Sequence, residues 1–443
     1  MITVATRSAK SRIETGLGVF GILALGVTLA IVFQWNPWPD IRDWLDERTR
    51  TLSEPATAWT QRAAGQPDAV GITERAVVAL MGDMVEARDR GNGNLQWRRE
   101  ADWAAMAGSP AGGVVILSKM DGKGIDAVDP YGGATRWTDP DAIGAWTFRD
   151  AVLTVDCPKS GCGLVNRDPG SGQQRWRIGL PGAVRALAGA NSGLLDLRHL
   201  DDTYDEVKAA SPQPMPRYLG YLIDRKVQIV DTSAGRRVRE EEVPNDARSV
   251  VAANRTVRTV GSVRSNGCRF VVTGREAGSG QQVWQREGYD LQTTGGAGCE
   301  PRRDPPGAGT ALIAVRGDNR AVVLSAVDGR ELAVAGPDET ILGTNGEVVV
   351  IRGRDGKQVR AVNLGTGGAA WTRPTQPSAK VGVTAYAVFI LDASTDRLVA
   401  VDPGSGQVRL DVESGAEVLG ISPDGVVLGR GRTIGWIGFG AAA

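Results

Sequence analysis

The chain has 443 residues, of which 59 are glycine and 22 are proline. Its 51 basic and 51 acidic residues balance, so no net positive charge favours nucleic acid as a partner. A hydrophobic fraction of 42% suffices for a large core, and the chain has one histidine, His199. A single histidine excludes a two-histidine metal site and leaves one candidate for a Ser-His-Asp triad.

An apolar segment lies near the N-terminus. Residues 16–33 read GLGVFGILALGVTLAIVF, without charge or proline, and this length is about the minimum for a bilayer-spanning helix. Trp35 and Trp38 follow, as expected of an interfacial aromatic belt. The basic residues before the segment place residues 1–15 in the cytoplasm by the positive-inside rule. The sequence predicts a transmembrane helix over 16–35 in a single-pass plasma-membrane protein with the rest extracytoplasmic. The alternative is a cleaved signal peptide, but no small-residue cleavage site follows.

Residues 36–55 connect this segment to the rest of the chain. Within them, Ile41, Trp44 and Leu45 share one face of a possible helix over 39–52. The pattern indicates a short juxtamembrane stalk, with a plain linker helix as the alternative.

One pattern recurs from residue 56 onwards: an apolar strand, a glycine-containing turn, and a second strand that begins with Trp or a substitute. The turn glycines are Gly93, Gly133, Gly172, Gly235, Gly280, Gly329, Gly367 and Gly406. A period near 40 residues with hairpin turns is typical of four-stranded propeller blades, and glycine permits the positive φ that such turns need. Five tryptophans recur after the turns and are predicted to fill the wedge between neighbouring blades. They are Trp97, Trp137, Trp176, Trp284 and Trp371.

Two repeats carry a family resemblance. AVDPYGGATRW (127–137) and AVNLGTGGAAW (361–371) are close to A-x-D-x-x-T-G-x-x-x-W. This pattern resembles the PQQ-binding-like, or quinoprotein-like, β-propeller repeat, and in style the BamB-type lipoprotein propellers. The resemblance covers residues 56–440 and implies a scaffold role in outer-membrane assembly. The chain departs from those lipoproteins because it has a predicted spanning helix and no lipidated cysteine after it.

The two ends of the repeat region are predicted to close a ring. Gly406 is followed by three further strands, and ATAWTQR at 56–62 would supply the fourth and remove a free edge. Eight turns and one closing strand give nine outer strands. Because rings of this family usually have eight blades, we predict an all-β, eight-bladed propeller over 56–440, with nine blades as the alternative.

The longest interval between turns runs from Gly172 to Gly235 and exceeds the period by about 23 residues. The excess is assigned to a polar loop over 194–217, which would project from one face as a possible binding loop. A solvated loop without a ligand is the alternative. Its candidate residues are His199, Asp201, Asp202 and Asp205.

The four cysteines fit two disulfides in an oxidising compartment. We pair Cys157 with Cys162, and Cys268 with Cys299. A zinc site needs two close pairs of thiolates, whereas here only one pair is close and its spacing is wrong.

The resembled family includes quinone enzymes that hold the quinone and Ca²⁺ with Glu, Asn and Asp ligands in the funnel. No convergent set of oxygen ligands is apparent here, so we predict no catalytic residue, cofactor or metal. The sequence therefore predicts a membrane-anchored, monomeric, noncatalytic scaffold that binds an envelope protein and not nucleic acid. The alternative is a quinone- or other ligand-binding enzyme or sensor that uses the propeller funnel.

Overall fold

The computed structural model describes most of the repeat region. The described residues are 51–182, 184–195, 212–244, 247–264, 267–291 and 307–440. Thr51–Ala443 form one compact unit. The predicted cytoplasmic tail and transmembrane helix lie outside the described residues, and in the part that is described no helix is long and apolar enough to cross a membrane.

The described strands form nine sheets, which we call blades 1 to 9. The chain enters with β1 (Trp59–Arg62). Blade 1 contains β2 (Ala69–Ile72), β3 (Ala76–Met81), β4 (Met84–Asp89) and β5 (Leu95–Glu100). Blade 2 contains β6 (Ala104–Ala107), β7 (Val114–Ser118), β8 (Ile125–Val128) and β9 (Thr135–Asp139). Blade 3 contains β10 (Ala142–Thr147), β11 (Val152–Asp156), β12 (Gly163–Arg167), β13 (Gln174–Gly179) and β14 (Gly189–Ala190). A short 3₁₀ helix, Val184–Leu187, precedes β14.

The remaining blades follow in chain order. Blade 4 contains β15 (Tyr218–Ile223), β16 (Lys226–Asp231) and β17 (Arg236–Glu242). Blade 5 contains β18 (Ala247–Ala252), β19 (Arg255–Arg264), β20 (Gly267–Glu276) and β21 (Gln282–Glu287). Blade 6 contains β22 (Tyr289–Asp290), β23 (Ala311–Arg316), β24 (Ala321–Ser325) and β25 (Glu331–Val334). Blade 7 contains β26 (Thr340–Thr344), β27 (Val348–Arg352), β28 (Gln358–Asn363) and β29 (Ala369–Pro374). Blade 8 contains β30 (Lys380–Val383), β31 (Val388–Asp392), β32 (Arg397–Val401) and β33 (Val408–Glu413). Blade 9 contains β34 (Glu417–Ser422), β35 (Gly425–Arg430) and β36 (Thr433–Gly438).

We label the strands of a blade A to D in sheet order, with D outermost. Middle strands such as β7, VVILS, are buried throughout because neighbouring blades cover both faces. Outer strands such as β5, LQWRRE, alternate between exposed and half-buried residues. Because each sheet is a meander, the A–B and C–D connections share one face of the ring, which we call the A–B face. The B–C connections lie on the opposite, B–C face.

The predicted closing strand is confirmed, whereas the predicted count of eight blades is wrong. β1 pairs with β36, with Trp59 opposite Trp436, and completes a ninth sheet from both ends of the chain. The eight turn glycines each belong to a separate sheet, so none is internal to a blade. The family's usual ring size misled the prediction; the count of nine outer strands was correct.

Blade 4 explains the long interval in the repeat. It has only three named strands, and its inner position is taken by a short segment in which Leu194 bridges Tyr221 and the Leu195 amide donates to the Gly220 carbonyl at 2.8 Å. Just before this segment, β14 pairs in parallel with β10 of blade 3. The extra residues therefore interrupt the A–B connection of this blade.

The end of the predicted stalk packs on the propeller. Glu54 and Glu413 exchange two backbone hydrogen bonds of 2.8 Å, and Ser414 Oγ donates to the Leu52 carbonyl at 2.6 Å. Leu52 is buried in the core between blades 8 and 9. The propeller unit thus begins a few residues before the predicted boundary at residue 56.

Candidate functional site

The predicted tryptophans lie at the contacts between blades. Each sits four residues after the turn glycine of its own blade and donates its indole N–H to a turn carbonyl of the next blade. The Nε1–O distances are 3.1 Å for Trp97–Pro130, 2.8 Å for Trp137–Pro169, 2.9 Å for Trp176–Thr232, 3.1 Å for Trp284–Ala326 and 2.8 Å for Trp371–Pro403. A sixth member, which the repeat pattern did not predict, is Trp59 on the closing strand, which donates its indole N–H to the Arg90 carbonyl at 2.6 Å.

The turn glycines are explained by the same contact. Gly133 has φ of 69°, and a Cβ built on it would lie 2.6 Å from Cγ of Trp97. Gly406 has φ of 70° and the same relation to Trp371. Glycine is therefore required twice, once by the left-handed backbone and once by the indole that lies against it.

Three outer strands carry another residue at the tryptophan position. Arg239 lies against Gly280 and donates to the Glu276 carbonyl at 2.6 Å, so a planar guanidinium replaces the indole there. Leu410 is fully buried between blades 8 and 9. The third substitute is Ala333 on β25.

A buried carboxyl pair lies between blades 2 and 3. Arg167 Nη2 is 2.7 Å from Oδ2 of Asp139, on β9, and 2.9 Å from Oδ2 of Asp156, on β11. Arg177 lies 3.5 Å from Asp156, and both carboxylates are nearly inaccessible. Burial and then the neighbouring Asp139 raise the pKa of Asp156 to about 6, from an ordinary 3.8. The Asp156 carboxyl is enclosed, with a side-chain exposure of 4%, and offers no surface to a substrate.

The predicted disulfide between Cys157 and Cys162 is confirmed. It closes the B–C connection of blade 3, next to Asp156. Cys268, on β20, is also disulfide-bonded, while Cys299 lies outside the described residues. The described cysteines thus include no free thiol.

A small pocket occupies the inner part of the A–B face. Its lining combines the A–B connections of blades 1, 2, 3 and 8, through Thr73, Ser109, Arg149 and Tyr386. Pro212, which returns from the long loop of blade 4, completes the lining. Four blades and the end of the long connection of blade 4 therefore meet at a single place.

The candidate binding-loop residues His199, Asp201, Asp202 and Asp205 lie outside the described residues. The segments on either side of them are described and are held on the propeller. Leu195 pairs with Gly220, the Arg149 amide donates to the Gln213 carbonyl at 2.8 Å, and the Met215 amide donates to Asp150 at 2.8 Å. The loop predicted over 194–217 therefore has ordered ends on the A–B face.

No acidic, histidine or cysteine cluster of the kind that holds a metal ion is present among the described residues. The buried Asp139 and Asp156 are paired with Arg167, whose positive charge occupies the place of a cation. We therefore derive no chemistry through such a group.

Comparison with known proteins agrees with this architecture. Residues 269–418, about a third of the chain, match the family described as outer membrane protein assembly factor BamB. Together with the nine sheets, this match confirms the resemblance: the domain is a PQQ-like, BamB-like β-propeller. No curated protein sequence matches the chain.

The solved structures that match this chain share little sequence with it. BamB from Moraxella catarrhalis is 16% identical over 80% of this chain and 97% of its own, with a TM-score of 0.36. Quinohemoprotein alcohol dehydrogenase from Comamonas testosteroni is 13% identical over 88% and 77%, with a TM-score of 0.39. Hsv2 from Kluyveromyces lactis is 10% identical over 65% and 89%, with a TM-score of 0.36.

Proposed function

We propose that this protein is a noncatalytic scaffold, anchored in the plasma membrane, whose extracytoplasmic propeller binds another envelope protein. The observation that carries the proposal is the convergence on the A–B face, where four blades and the ordered end of the long loop meet around Arg149 and Pro212. A surface assembled from several separate segments suits recognition of a folded or extended partner.

The rigidity of the ring supports this role. Six tryptophans join successive blades, and the closing strand joins the last blade to the first. A rigid body keeps its surface loops in place and so lowers the entropy lost on binding. The disulfide of blade 3 supports the extracytoplasmic placement, because such bonds persist in oxidising compartments.

Capture from membranes tests the proposal. The full-length chain is purified in mild detergent with whatever it binds, and compared with a variant in which residues 196–211 are replaced by a Gly-Ser linker of equal length. Leu195 and Pro212 are kept because both contact the propeller. We expect the full chain to retain a protein partner in fixed stoichiometry and the linker variant to lose it.

A matched control replaces residues 119–124, the B–C connection of blade 2 on the opposite face, with Gly and Ser. This variant should retain the partner. If the linker variant retains the partner, the long loop is not part of the interface. If the full-length chain purifies without any partner, the scaffold role is contradicted. In the latter case, a higher melting temperature with quinone and Ca²⁺ would favour the enzyme alternative.

A further inference from the structure

The contact between blades 6 and 7 lacks its tryptophan. Ala333 occupies the position, four residues after Gly329, at which five other blades place an indole. Its backbone partner Val323 corresponds to Ala361, the partner of Trp371 in the next blade. The register is therefore preserved while the large side chain is missing.

The turn that should receive this indole is open. A Cβ built on Gly367 would meet no atom within 4 Å, whereas the same construction on the other seven turn glycines meets an indole or, at Gly280, the guanidinium of Arg239. Among the eight turn glycines, Gly367 is exposed, whereas the other seven are buried or half-buried. Its φ of 71° matches theirs, so the turn keeps the shape that accepts an indole.

Among the described residues, the backbone carbonyl that would accept a hydrogen bond from this indole also receives none from a side chain. In the six filled contacts the indole N–H donates to the residue three before the turn glycine, for example Pro403 before Gly406. The equivalent residue in blade 7 is Leu364. In the described part of the chain, no side chain donates to its carbonyl.

The strand that carries Ala333, β25, forms the outer edge of its sheet. β25 is the last strand of its sheet and has only four residues, Glu331–Val334. Leu332 and Ala333 are half-buried against the apolar core between blades 6 and 7. An extended segment that lies along such an edge can pair with its backbone and direct alternate side chains inward.

We propose that this slot, formed by Ala333, Leu364 and Gly367, binds a tryptophan side chain of an extended segment in a partner protein. We choose tryptophan as the bound residue because the chain itself places an indole at the equivalent position in six other contacts between blades. Tryptophan is also among the residues that most often anchor protein interfaces, because its ring buries a large area while its N–H satisfies one acceptor. The assignment to a protein partner rests on the proposed scaffold function; the indole specificity of the slot does not.

Two measurements test the proposal on the full-length protein. The first titrates N-acetyl-5-fluorotryptophanamide and follows its ¹⁹F signal. We expect saturable broadening with the unaltered protein and none with Ala333→Trp, whose own indole fills the slot. N-acetyl-4-fluorophenylalaninamide lacks the N–H donor and should bind about tenfold more weakly. Val408→Trp is the matched control, because it adds a tryptophan at an exposed position of another outer strand, β33, and should bind the probe unchanged.

The second measurement repeats the membrane capture with the same two variants. Loss of the partner from Ala333→Trp and its retention by Val408→Trp would support the proposal. Absence of saturable probe binding to the unaltered protein would overturn the indole slot, whatever the capture shows and whether or not the variants fold. Probe binding with full partner retention in Ala333→Trp would overturn the partner assignment and leave the scaffold role standing.

Discussion

The indole Nε1 of Trp59 donates a 2.6 Å hydrogen bond to the carbonyl of Arg90 and thereby joins the ninth blade to the first. The ring side of Trp59 lies against Gly93, as five other tryptophans lie against the turn glycines of their neighbours. The closing strand therefore supplies both a fourth strand and a blade-to-blade contact.

Replacing Trp59 by alanine should destabilise the ring. Removing a buried aromatic side chain costs about 3–5 kcal/mol of unfolding free energy, and Trp59 is 7% exposed. Trp59→Phe keeps most of the ring and loses the hydrogen bond, at about 1 kcal/mol. Urea titration measures both, with Leu95→Ala, an exposed position on an outer strand, as a control expected to lie within about 0.5 kcal/mol. Equal losses in the two Trp59 variants would contradict the packing role.

The turn glycines provide a matched pair of substitutions. Gly133→Ala and Gly367→Ala impose the same strain, since φ is 69° and 71°. A Cβ at Gly133 also collides with Trp97, whereas one at Gly367 meets open space. Gly367→Ala should cost about 1–2 kcal/mol and Gly133→Ala clearly more, in the same urea assay. Similar losses at both positions would show that the indole does not define the turn.

The carboxyl pair between blades 2 and 3 predicts a pH dependence of stability. The folded-state pKa of Asp156, about 6, lies above its ordinary value of 3.8. Its contribution to stability is therefore fully present below pH 3.8 and is lost as the pH rises through 6. A shift of this size corresponds to a loss on the order of 3 kcal/mol.

Unfolding free energies of the unaltered protein and Asp156→Asn between pH 4 and 8 measure this effect. Asp156→Asn removes the titrating group, so its stability should change less over that range. Asp129→Asn is a suitable control, because the Gly132 amide and then Arg136 outweigh burial and keep the pKa of Asp129 below its ordinary value. A slope identical in the unaltered protein and Asp156→Asn would exclude Asp156 as its origin.

The disulfide of blade 3 bears on where the propeller resides. A non-reducing peptide map of protein isolated from its native cells should show Cys157 linked to Cys162. Because the bond closes a short loop, Cys157→Ser with Cys162→Ser should lower stability by about 2 kcal/mol at most. Free thiols at both positions in the native protein would contradict the extracytoplasmic placement.

The repeat was predictable because its turns are local. The eight glycines all have positive φ, as hairpin turns require, and the strand from both chain ends could be inferred from the similarity of ATAWTQR to AAWTRP. Blade number was missed because a usual ring size was preferred to the count of outer strands. The inner strand of blade 4 was missed because a short, irregular segment replaces it.

The features between blades were less predictable. Asp139 and Asp156 stand on different blades, and only the docking of the two sheets brings them to Arg167. Trp59 lies 31 residues before its partner Arg90, and its place in a repeat-like segment was a signal that could have identified it. Ala333 could have been noticed by aligning all eight turns, since it alone replaces tryptophan with a small residue.

The central claim is that the A–B face binds a protein partner. A photo-crosslinking amino acid placed at Arg149, exposed on that face, tests it in intact cells, with the same residue placed at Met120 on the B–C face as the comparison. The account predicts a discrete protein adduct from position 149 and none from position 120. An adduct only from position 120, or none from either position in cells that contain the protein, would contradict it.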